Sequence, residues 1–278
     1  MIDLFHKTSR QCSKITAENY STSFAAAIRL LHKNIRPDIY SIYGFVRFAD
    51  EIVDTFHSYD KEALFHTFKA DTYKAIEEKI SLNPILNSFQ LTINKHNIDV
   101  SLIDAFFNSM QCDLDKTSHT EISYREYIYG SAESVGLMCL HIFCGNDKML
   151  YDQLKEYAKR LGAAFQKINF LRDIKADNEQ LNRMYFPNCC FKNFTSQNKQ
   201  EIEEDIQQDF DYAYKGILLL PAEAKLGVYI AYKYYLCLFK KIKRLPPKAI
   251  CRKRIRLADH IKIFILAKAG LQHRLNIL

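Results

Sequence analysis

The chain has 278 residues, and its 8 glycines and 6 prolines are too few for the many tight turns of sandwiches, barrels and Rossmann folds. It contains neither a G-x-G-x-x-G nor a G-x-x-x-x-G-K-[ST] sequence, which excludes the usual nucleotide-binding loops. The net charge of +7 is uneven, because residues 240–274 hold twelve Lys or Arg and one acidic residue.

Apolar residues recur with a helical period along most of the chain, which predicts an all-α protein. A polar loop is predicted at 178–183, and Pro246 and Pro247 predict a break. No internal repeat or linker divides the sequence, so one domain is predicted over 1–278. The predicted helices cover 16–31, 38–56, 61–80, a short segment that ends at His96, 101–113, 123 to Gly145-Asn146, 147–177, 196–215, 221–241 and a basic helix that ends at Ala269.

Cysteine usage and hydropathy predict a cytoplasmic protein. The eight cysteines include no C-x-x-C and form no legible metal or disulfide framework. The N-terminus lacks the apolar core of a signal peptide, and every apolar stretch is far shorter than the roughly 18 residues that span a bilayer. The basic C-terminal region indicates either an anionic partner (a phosphate, an anionic membrane surface or nucleic acid) or a solvated helix face.

Two aspartate pairs lie inside predicted helices. Asp50 and Asp54 belong to the second predicted helix, and Asp173 and Asp177 lie at the end of a later one. Two carboxylates at i and i+4 share a helix face, where they repel each other unless a cation lies between them. Mg²⁺ takes one or two carboxylates together with waters and substrate phosphate oxygens. Two such helices that face each other would therefore hold a diphosphate through metal ions.

A D-x-x-x-D spacing alone is weak, because one is expected by chance in a chain of this composition. A third pair, Asp205 and Asp209, lies in the acidic stretch EIEEDIQQDFD and is predicted to be solvated surface. The first pair has different surroundings, since Arg47 precedes Asp50 on the same helix face and Tyr43 lies one turn earlier. This combination favours a binding site over a solvated surface.

The second pair also has distinctive neighbours. Gln166, Asn169 and Asp173 form a polar stripe at i, i+3 and i+7 on an otherwise apolar helix, with Arg172 adjacent. Such a stripe is costly to bury unless it binds something. The sequence therefore predicts that both aspartate pairs bind a metal.

Five segments occur in the order and spacing of a known family. They are YSTSF at 20–24, IYGFVRFADEIVD at 42–54, YIYGSAESVG at 127–136, QKINFLRDI at 166–174 and RMYFP at 183–187. Together they resemble the squalene/phytoene synthase family, and in particular its bacterial phytoene synthases. The last third of the chain matches only in its helical character.

The resemblance implies an all-α isoprenoid synthase-type bundle around a central cavity. It also implies head-to-head condensation of two prenyl diphosphates, here two geranylgeranyl diphosphates, through a cyclopropylcarbinyl diphosphate to phytoene, as in carotenoid biosynthesis. Mg²⁺, or Mn²⁺ in its place, would be the cofactor. A second ionisation, a rearrangement and a proton loss would complete the reaction.

The resemblance also implies roles for particular residues. The expected metal ligands are Asp50, Asp54, Asn169, Asp173 and Asp177. Arg47 and Arg172 would neutralise diphosphate, and Ser21 and Ser23 would donate hydrogen bonds to it. The remaining expected residues line the reaction centre, the prenyl channel or the cavity wall, namely Tyr43, Gln166, Phe24, Tyr127 and Val135. Glu133 stands where many relatives have Gly, and it either faces away from the cavity or adds a carboxylate near the metals.

Two alternatives remain beside this interpretation. The first is a squalene or dehydrosqualene synthase that uses two farnesyl diphosphates, in which case squalene formation would require NADPH. The second is a catalytically inert family scaffold, which the presence of both aspartate pairs with Arg47, Asn169 and Arg172 disfavours.

The basic C-terminal region suits the same interpretation. A C40 hydrocarbon is insoluble, so the product must leave into a bilayer, and this region would dock on anionic lipid at the membrane periphery. Alternatively, some of its basic residues close over the diphosphates. No nucleic-acid partner is predicted, because a nucleic-acid-binding protein would not need the acidic, aromatic centre.

Overall fold

The computed structural model describes residues 1–115, 118–145 and 147–274, and these residues form helices without a single extended strand. This arrangement confirms the all-α prediction. A π-helix at Tyr129–Glu133 separates α7 from α8, and a 3₁₀ turn lies at Phe191–Asn193. The α-helices are α1 Ile2–Tyr20, α2 Thr22–Ile28, α3 Arg36–Asp54, α4 Lys61–Glu78, α5 Pro84–His96, α6 Val100–Asp115, α7 Glu121–Ile128, α8 Ser134–Cys144, α9 Lys148–Leu181, α10 Ser196–Leu219, α11 Ala222–Lys243, α12 Pro247–Ile250 and α13 Asp259–Arg274.

Polar caps begin several of these helices. Asp60, Asn83 and Asp147 accept hydrogen bonds from the first backbone N–H groups of α4, α5 and α9. Thr120 and Ser123 form a reciprocal capping box at the start of α7. Each cap satisfies donors that would otherwise lack partners, which is why these helices begin where they do.

Two large apolar clusters and one small one form the core of the described residues. One large cluster joins α3, α4, α5 and α6 around Phe45, which stacks on Phe89 with ring centroids 3.8 Å apart. The other large cluster joins α2, α9, α10 and α11 around Phe210 and Phe239. The central cavity described below is lined by residues of both large clusters. No helix within the described part of the chain is both long and apolar enough to cross a membrane.

The prediction of one helix over 16–31 is wrong. The chain is helical from residue 2, and the helix ends at Tyr20, because Ser21 is extended, with φ −146° and ψ 101°. The Ser21 hydroxyl then accepts a hydrogen bond from the backbone N–H of Phe24 and caps α2. The break therefore results from N-cap chemistry rather than from Gly or Pro.

The predicted continuous helix that begins at 123 is interrupted by the π-helix. Gly130 lies within it, where an added Cβ would lie 2.2 Å from the backbone oxygen of Ala105 on α6. The close approach of α6 thus requires glycine at this point. The predicted helix end at Gly145-Asn146 agrees with the structure at Gly145, which follows the last residue of α8 and has a positive φ of 59°. Asn146 lies outside the described residues.

Two predictions near the C-terminus need correction. The loop predicted at 178–183 is largely helical, since α9 continues to Leu181 and ends where Asn182 adopts a left-handed conformation. The predicted basic helix after Pro246 is divided into the short α12, an irregular segment at 251–258, and α13. Arg254 of the irregular segment lines the central cavity and pairs there with Asp173.

Candidate active site

A cavity with a volume of about 680 Å³ lies among α2, α3, α8, α9, α10 and α11. Ser23 is in α2 but does not line this cavity. The other predicted site residues all do, namely Ser21, Phe24, Tyr43, Arg47, Asp50, Asp54, Tyr127, Val135, Gln166, Asn169, Arg172, Asp173 and Asp177.

Helical periodicity explains why these residues meet. On α3, Tyr43, Arg47, Asp50 and Asp54 stand at i, i+4, i+7 and i+11, which is one continuous helix face. On α9, the corresponding face carries residues 166, 169, 173 and 177 at nearly the same spacing. Both faces line one cavity, so two aspartate pairs that are distant in sequence lie at a common site.

Arg47 dominates the charge pattern on α3. Its guanidinium contacts the Glu51 carboxylate, lies 3.9 Å from the Asp50 carboxylate and stacks 4.4 Å from the ring centroid of Tyr20. Its buried Nε atom has no hydrogen-bond partner among the described residues. An unpaired buried donor is costly, so Arg47 has a hydrogen bond to offer to an anionic ligand.

The face of α9 is held by two arginines and a tyrosine. Arg172 Nη2 lies 2.6 Å from Oδ2 of Asp173, and Arg254 Nε, from the irregular segment, lies 2.8 Å from Oδ1 of the same carboxylate. The Tyr235 hydroxyl donates to Oδ1 of Asn169 at 3.1 Å, and Asn169 Nδ2 donates to Oε1 of Gln166 at 3.3 Å. The polar stripe is therefore preorganised.

The two acidic faces influence each other electrostatically. Burial, and then the charge of Asp54, raise the pKa of Asp50 to about 8. Burial, and then the charges of Asp173 and Asp54, raise the pKa of Asp177 to about 8. The Asp50 side chain keeps 32% of its surface accessible because it faces the cavity, although protein surrounds it. The ionised forms of these carboxyl groups are therefore unfavourable in the empty cavity, and a bound cation would stabilise them.

Aromatic rings lie between the charged end and the apolar end of the cavity. Phe165 stacks on Tyr235 with ring centroids 4.0 Å apart. Phe24 lies 6.1 Å from Tyr43 and 5.7 Å from Tyr235, also between centroids. Beyond them, the wall is mostly aliphatic and includes Ile28, Leu31, Ile42, Leu140, Leu154, Ile217 and Leu220. The aliphatic side chains offer no nucleophile to a carbocation, and the ring faces attract cations.

Four residues at this site were not among the predicted site residues. Asp113 at the end of α6 and Arg183 after α9 form a buried pair behind Asp54. Tyr235 and Arg254 belong to the C-terminal third, where the family segments do not extend. Arg183 begins the RMYFP segment and Arg254 belongs to the basic region, which are weak indications in the sequence that each belongs to the site. No sequence feature marked Asp113.

Glu133 does not line the cavity. Burial raises its pKa, and the charges that act on it come from Lys159, Arg160 and Lys167 of α9 and from Asp209 of α10. Of the two alternatives for Glu133, the structure supports the one that faces away from the cavity.

The prediction that Asp205 and Asp209 are solvated surface is wrong for Asp209. Its side chain is 1% exposed and lies 2.7 Å from Lys167 and 3.0 Å from Arg160, whereas Asp205 is half exposed and 2.5 Å from Lys167. An acidic stretch on α10 thus receives its partners from α9, which the local sequence could not reveal. Neither Asp205 nor Asp209 lines the cavity, so this D-x-x-x-D pair serves as a comparison for the two pairs that do.

The donor chemistry of the cavity fits a hard cation such as Mg²⁺. Four aspartates and the Asn169 amide supply oxygen ligands, which Mg²⁺ prefers in proteins. Within the described part of the chain, no three Asp, Glu, His or Cys side chains are close enough together to hold an ion by themselves. Mg²⁺ in proteins needs only one or two carboxylates and completes its shell with water and phosphate oxygens, so the carboxylates present would suffice.

The helical bundle, with acidic faces at one end of a cavity and aromatic and aliphatic walls beyond, has the isoprenoid synthase-type fold. A dehydrosqualene synthase in complex with ligand has a TM-score of 0.81 and 18% identity, with 97% of this chain and 98% of that chain covered. The squalene synthase HpnC from Alicyclobacillus acidocaldarius has a TM-score of 0.74 and 19% identity, covering 86% and 94%. At these identities the likeness shows the fold.

Sequence comparison defines the family. The model of the squalene/phytoene synthase family matches residues 17–259, so the chain belongs to this family of prenyl-transferring enzymes. The 4,4'-diapophytoene synthase of Staphylococcus haemolyticus is 28% identical over 198 residues, 69% of this chain and 67% of that protein. The 15-cis-phytoene synthase of Paracoccus sp. is 24% identical over 277 residues, 90% and 87% of the two chains.

Proposed function

We propose that the chain catalyses the Mg²⁺-dependent head-to-head condensation of two geranylgeranyl diphosphates to phytoene. The observation that carries the proposal is the pair of aspartate faces, on α3 and α9, at the polar end of a cavity whose other walls are aromatic and aliphatic. Family membership supports the condensation of prenyl diphosphates in general. The Paracoccus relative, named a 15-cis-phytoene synthase, supports the C40 product.

The chain's own residues would bind and orient the substrates. Asp50, Asp54, Asp173 and Asp177, with Asn169, would hold Mg²⁺, which when bound supplies electrostatic stabilisation of the leaving diphosphate. Arg47 and Arg172 line the same end and would neutralise phosphate charge as the C–O bond breaks. Ser21 also lines the cavity, and its hydroxyl, which accepts from the backbone N–H of Phe24 and is hydrogen-bonded to Tyr43, would donate to a phosphate oxygen once substrate is bound.

The walls would protect the cation from water. Tyr43, Phe24, Phe165 and Tyr235 form a group of rings next to the charged end, and each ring face attracts a cation by roughly 0.5–2 kcal/mol. Burial raises the pKa of Tyr43 to about 12, so its phenol stays neutral and does not act as an anionic nucleophile. The prenyl chains would extend along the aliphatic part of the cavity.

Two farnesyl diphosphates are the alternative substrates. The relative from Staphylococcus haemolyticus is named a 4,4'-diapophytoene synthase, and it is the more similar of the two relatives over the part that aligns. Purified chain incubated with Mg²⁺ and either diphosphate, with and without NADPH, followed by hydrocarbon analysis, distinguishes the products. Phytoene from geranylgeranyl diphosphate is the expected result. A C30 hydrocarbon from farnesyl diphosphate would establish the alternative, as dehydrosqualene if it forms without NADPH and as squalene if it requires NADPH.

Substitutions test the acidic faces directly. Asp50→Asn and Asp173→Asn should each abolish turnover and leave the far-ultraviolet circular dichroism of the chain unchanged. Asp205→Asn is the matched control, because Asp205 belongs to the D-x-x-x-D pair outside the cavity. Near-normal turnover in the first two variants would refute the role of the acidic faces.

Product release suggests a peripheral contact of α13 with anionic lipid. Ile263 and Phe264 are 65% and 66% exposed on a helix that follows exposed basic residues such as Arg252, Lys253 and Arg256. Apolar side chains beside cations are typical of helices that lie in a bilayer interface. Vesicles containing phosphatidylglycerol should carry the chain upward in a flotation gradient, and Phe264→Asp should reduce this. Equal flotation with phosphatidylcholine alone would contradict the electrostatic contact.

A further inference from the structure

Arg183 is a buried arginine that joins three parts of the fold at the acidic end of the cavity. It follows Asn182, where α9 ends, and its side chain is 7% exposed. Its Nη1 atom lies 2.7 Å from Oδ1 of Asp54 on α3, and its Nη2 atom donates to the backbone oxygen of Asp113 on α6 at 2.8 Å. An arginine with this many fixed contacts holds its fork in one orientation.

Asp113 lines the cavity, yet its contacts differ from those of the other aspartates there. The Tyr127 hydroxyl donates to its Oδ2 at 2.6 Å, and the Tyr185 hydroxyl donates to its Oδ1 at 2.9 Å. Oδ1 also lies 3.6 Å from Nη1 of Arg183. With both oxygens engaged by phenols and an arginine beside them, Asp113 acts as a fixed counter-ion rather than as a cation ligand.

Asp54 is bound differently. Its side chain is 38% exposed towards the cavity, and Arg183 engages only Oδ1. Oδ2 is left for another ligand. A carboxylate fixed at one oxygen has fewer orientations to lose when the other oxygen binds a cation, and partners of this kind commonly change metal affinity by 10-fold to 100-fold.

We propose that Arg183, fixed by Asp113 and its two tyrosines, is a positioning residue that orients Asp54 for the divalent cation. The inference rests on the proposed function, because it needs a cation at the α3 face. It adds that Asp113, although it lines the cavity, pairs with Arg183 and does not bind the cation. It also assigns the first residue of the RMYFP segment a part in cation binding without contact to the cation.

Calorimetric titration of the full chain with Mg²⁺ and inorganic diphosphate, without prenyl substrate, tests this inference. Arg183→Gln should raise the apparent Mg²⁺ dissociation constant about 10-fold to 100-fold, and Arg183→Lys should restore part of the affinity. Tyr185→Phe removes one hydrogen bond to Asp113 and should give a smaller change in the same direction. Arg160→Gln is the control, because Arg160 pairs with Asp209 outside the cavity.

The outcomes are distinct. A folded Arg183→Gln variant with unchanged or tighter Mg²⁺ binding would overturn the inference, since tighter binding would mean that Arg183 competes with the cation. If that variant does not fold, wild-type affinity in both Arg183→Lys and Tyr185→Phe overturns it instead. A wild-type chain that binds Mg²⁺ and diphosphate but forms no hydrocarbon would contradict the proposed function alone.

Discussion

Cation binding to the cavity should weaken steeply as the pH falls from 8 to 6. Without a cation, Asp50 and Asp177 have pKa values of about 8, because both are buried and lie close to other aspartates. Each must therefore release a proton before it can bind Mg²⁺. An ordinary aspartate, with a pKa of about 3.9, would already be ionised throughout this range and would give no such dependence.

The size of this pH dependence follows from the number of protons released when Mg²⁺ binds. Below a pKa of about 8, each protonated ligand reduces the apparent affinity by about tenfold per pH unit. Two ligands would give at most about a hundredfold per unit. Calorimetric titration with Mg²⁺ and inorganic diphosphate at pH 6, 7 and 8, in buffers of different ionisation enthalpy, measures both the affinity and the protons released. Diphosphate titrates in this range, so its own proton uptake must be subtracted.

Asp50→Asn separates the two contributions. It removes one of the two titrating ligands, so the pH dependence should become shallower by about tenfold per pH unit. The Asp205→Asn variant should keep the wild-type slope, since Asp205 lies outside the cavity. A wild-type affinity that changes by less than about threefold between pH 6 and 8 would show that Asp50 and Asp177 do not titrate in this range.

The same shifts set the sign of the pH dependence of stability. A carboxyl group whose pKa is raised on folding stabilises the fold fully below its unfolded pKa of about 3.9, and this contribution is lost as the pH rises through about 8. The melting temperature of the cation-free chain should therefore decrease from pH 6 to pH 8, and Mg²⁺ should restore it most at pH 8. Scanning fluorimetry measures both, and a cation-free chain most stable at pH 8 would contradict the assignment.

Three further substitutions have defined outcomes. Asp38→Asn should lower the free energy of unfolding by about 1.5–3 kcal/mol in a urea titration, because the buried Asp38 carboxylate lies 2.7 Å from the half-exposed Lys95 and 2.9 Å from His96; a change below about 0.5 kcal/mol would contradict this. Glu133→Gln should leave kcat/KM within about twofold of wild type, because the side chain does not line the cavity. A larger loss would show that Glu133 contributes to the reaction. Gly216→Ala should cost about 1–3 kcal/mol in thermal or urea unfolding, since the new Cβ would lie 2.2 Å from Cβ of Tyr157; wild-type stability would show that Tyr157 moves freely.

Helical periodicity was sufficient to predict the two site faces. Tyr43, Arg47 and Asp50 follow from the spacing on α3, and the stripe from Gln166 to Asp173 follows from the spacing on α9. Spacing along one helix depends only on helix geometry, which sequence determines locally. That the two faces meet across a cavity depends on tertiary packing, and the family resemblance rather than the spacing indicated it.

The features that the sequence did not reveal depend on contacts between distant segments. Asp113 gains its role only when Arg183, 70 residues later, reaches its backbone oxygen. Asp209 was expected to be solvated, because its partners Lys167 and Arg160 lie on another helix. The break at Ser21 was missed for a different reason, since a serine inside an apolar periodic segment gives no breaker signal until its N-cap geometry is seen.

The ion pair on the outer side of α9 has a mechanical effect on the inner side. Lys167 is adjacent in sequence to Gln166, and it is clamped between Asp205 and Asp209 of α10. Successive residues on a helix are about 100° apart, so turning α9 by a single residue would pull Lys167 out of this clamp and turn Asn169 and Asp173 away from the cavity. The orientation of the polar stripe that lines the cavity is thus fixed by an ion-pair cluster whose members lie outside the cavity lining.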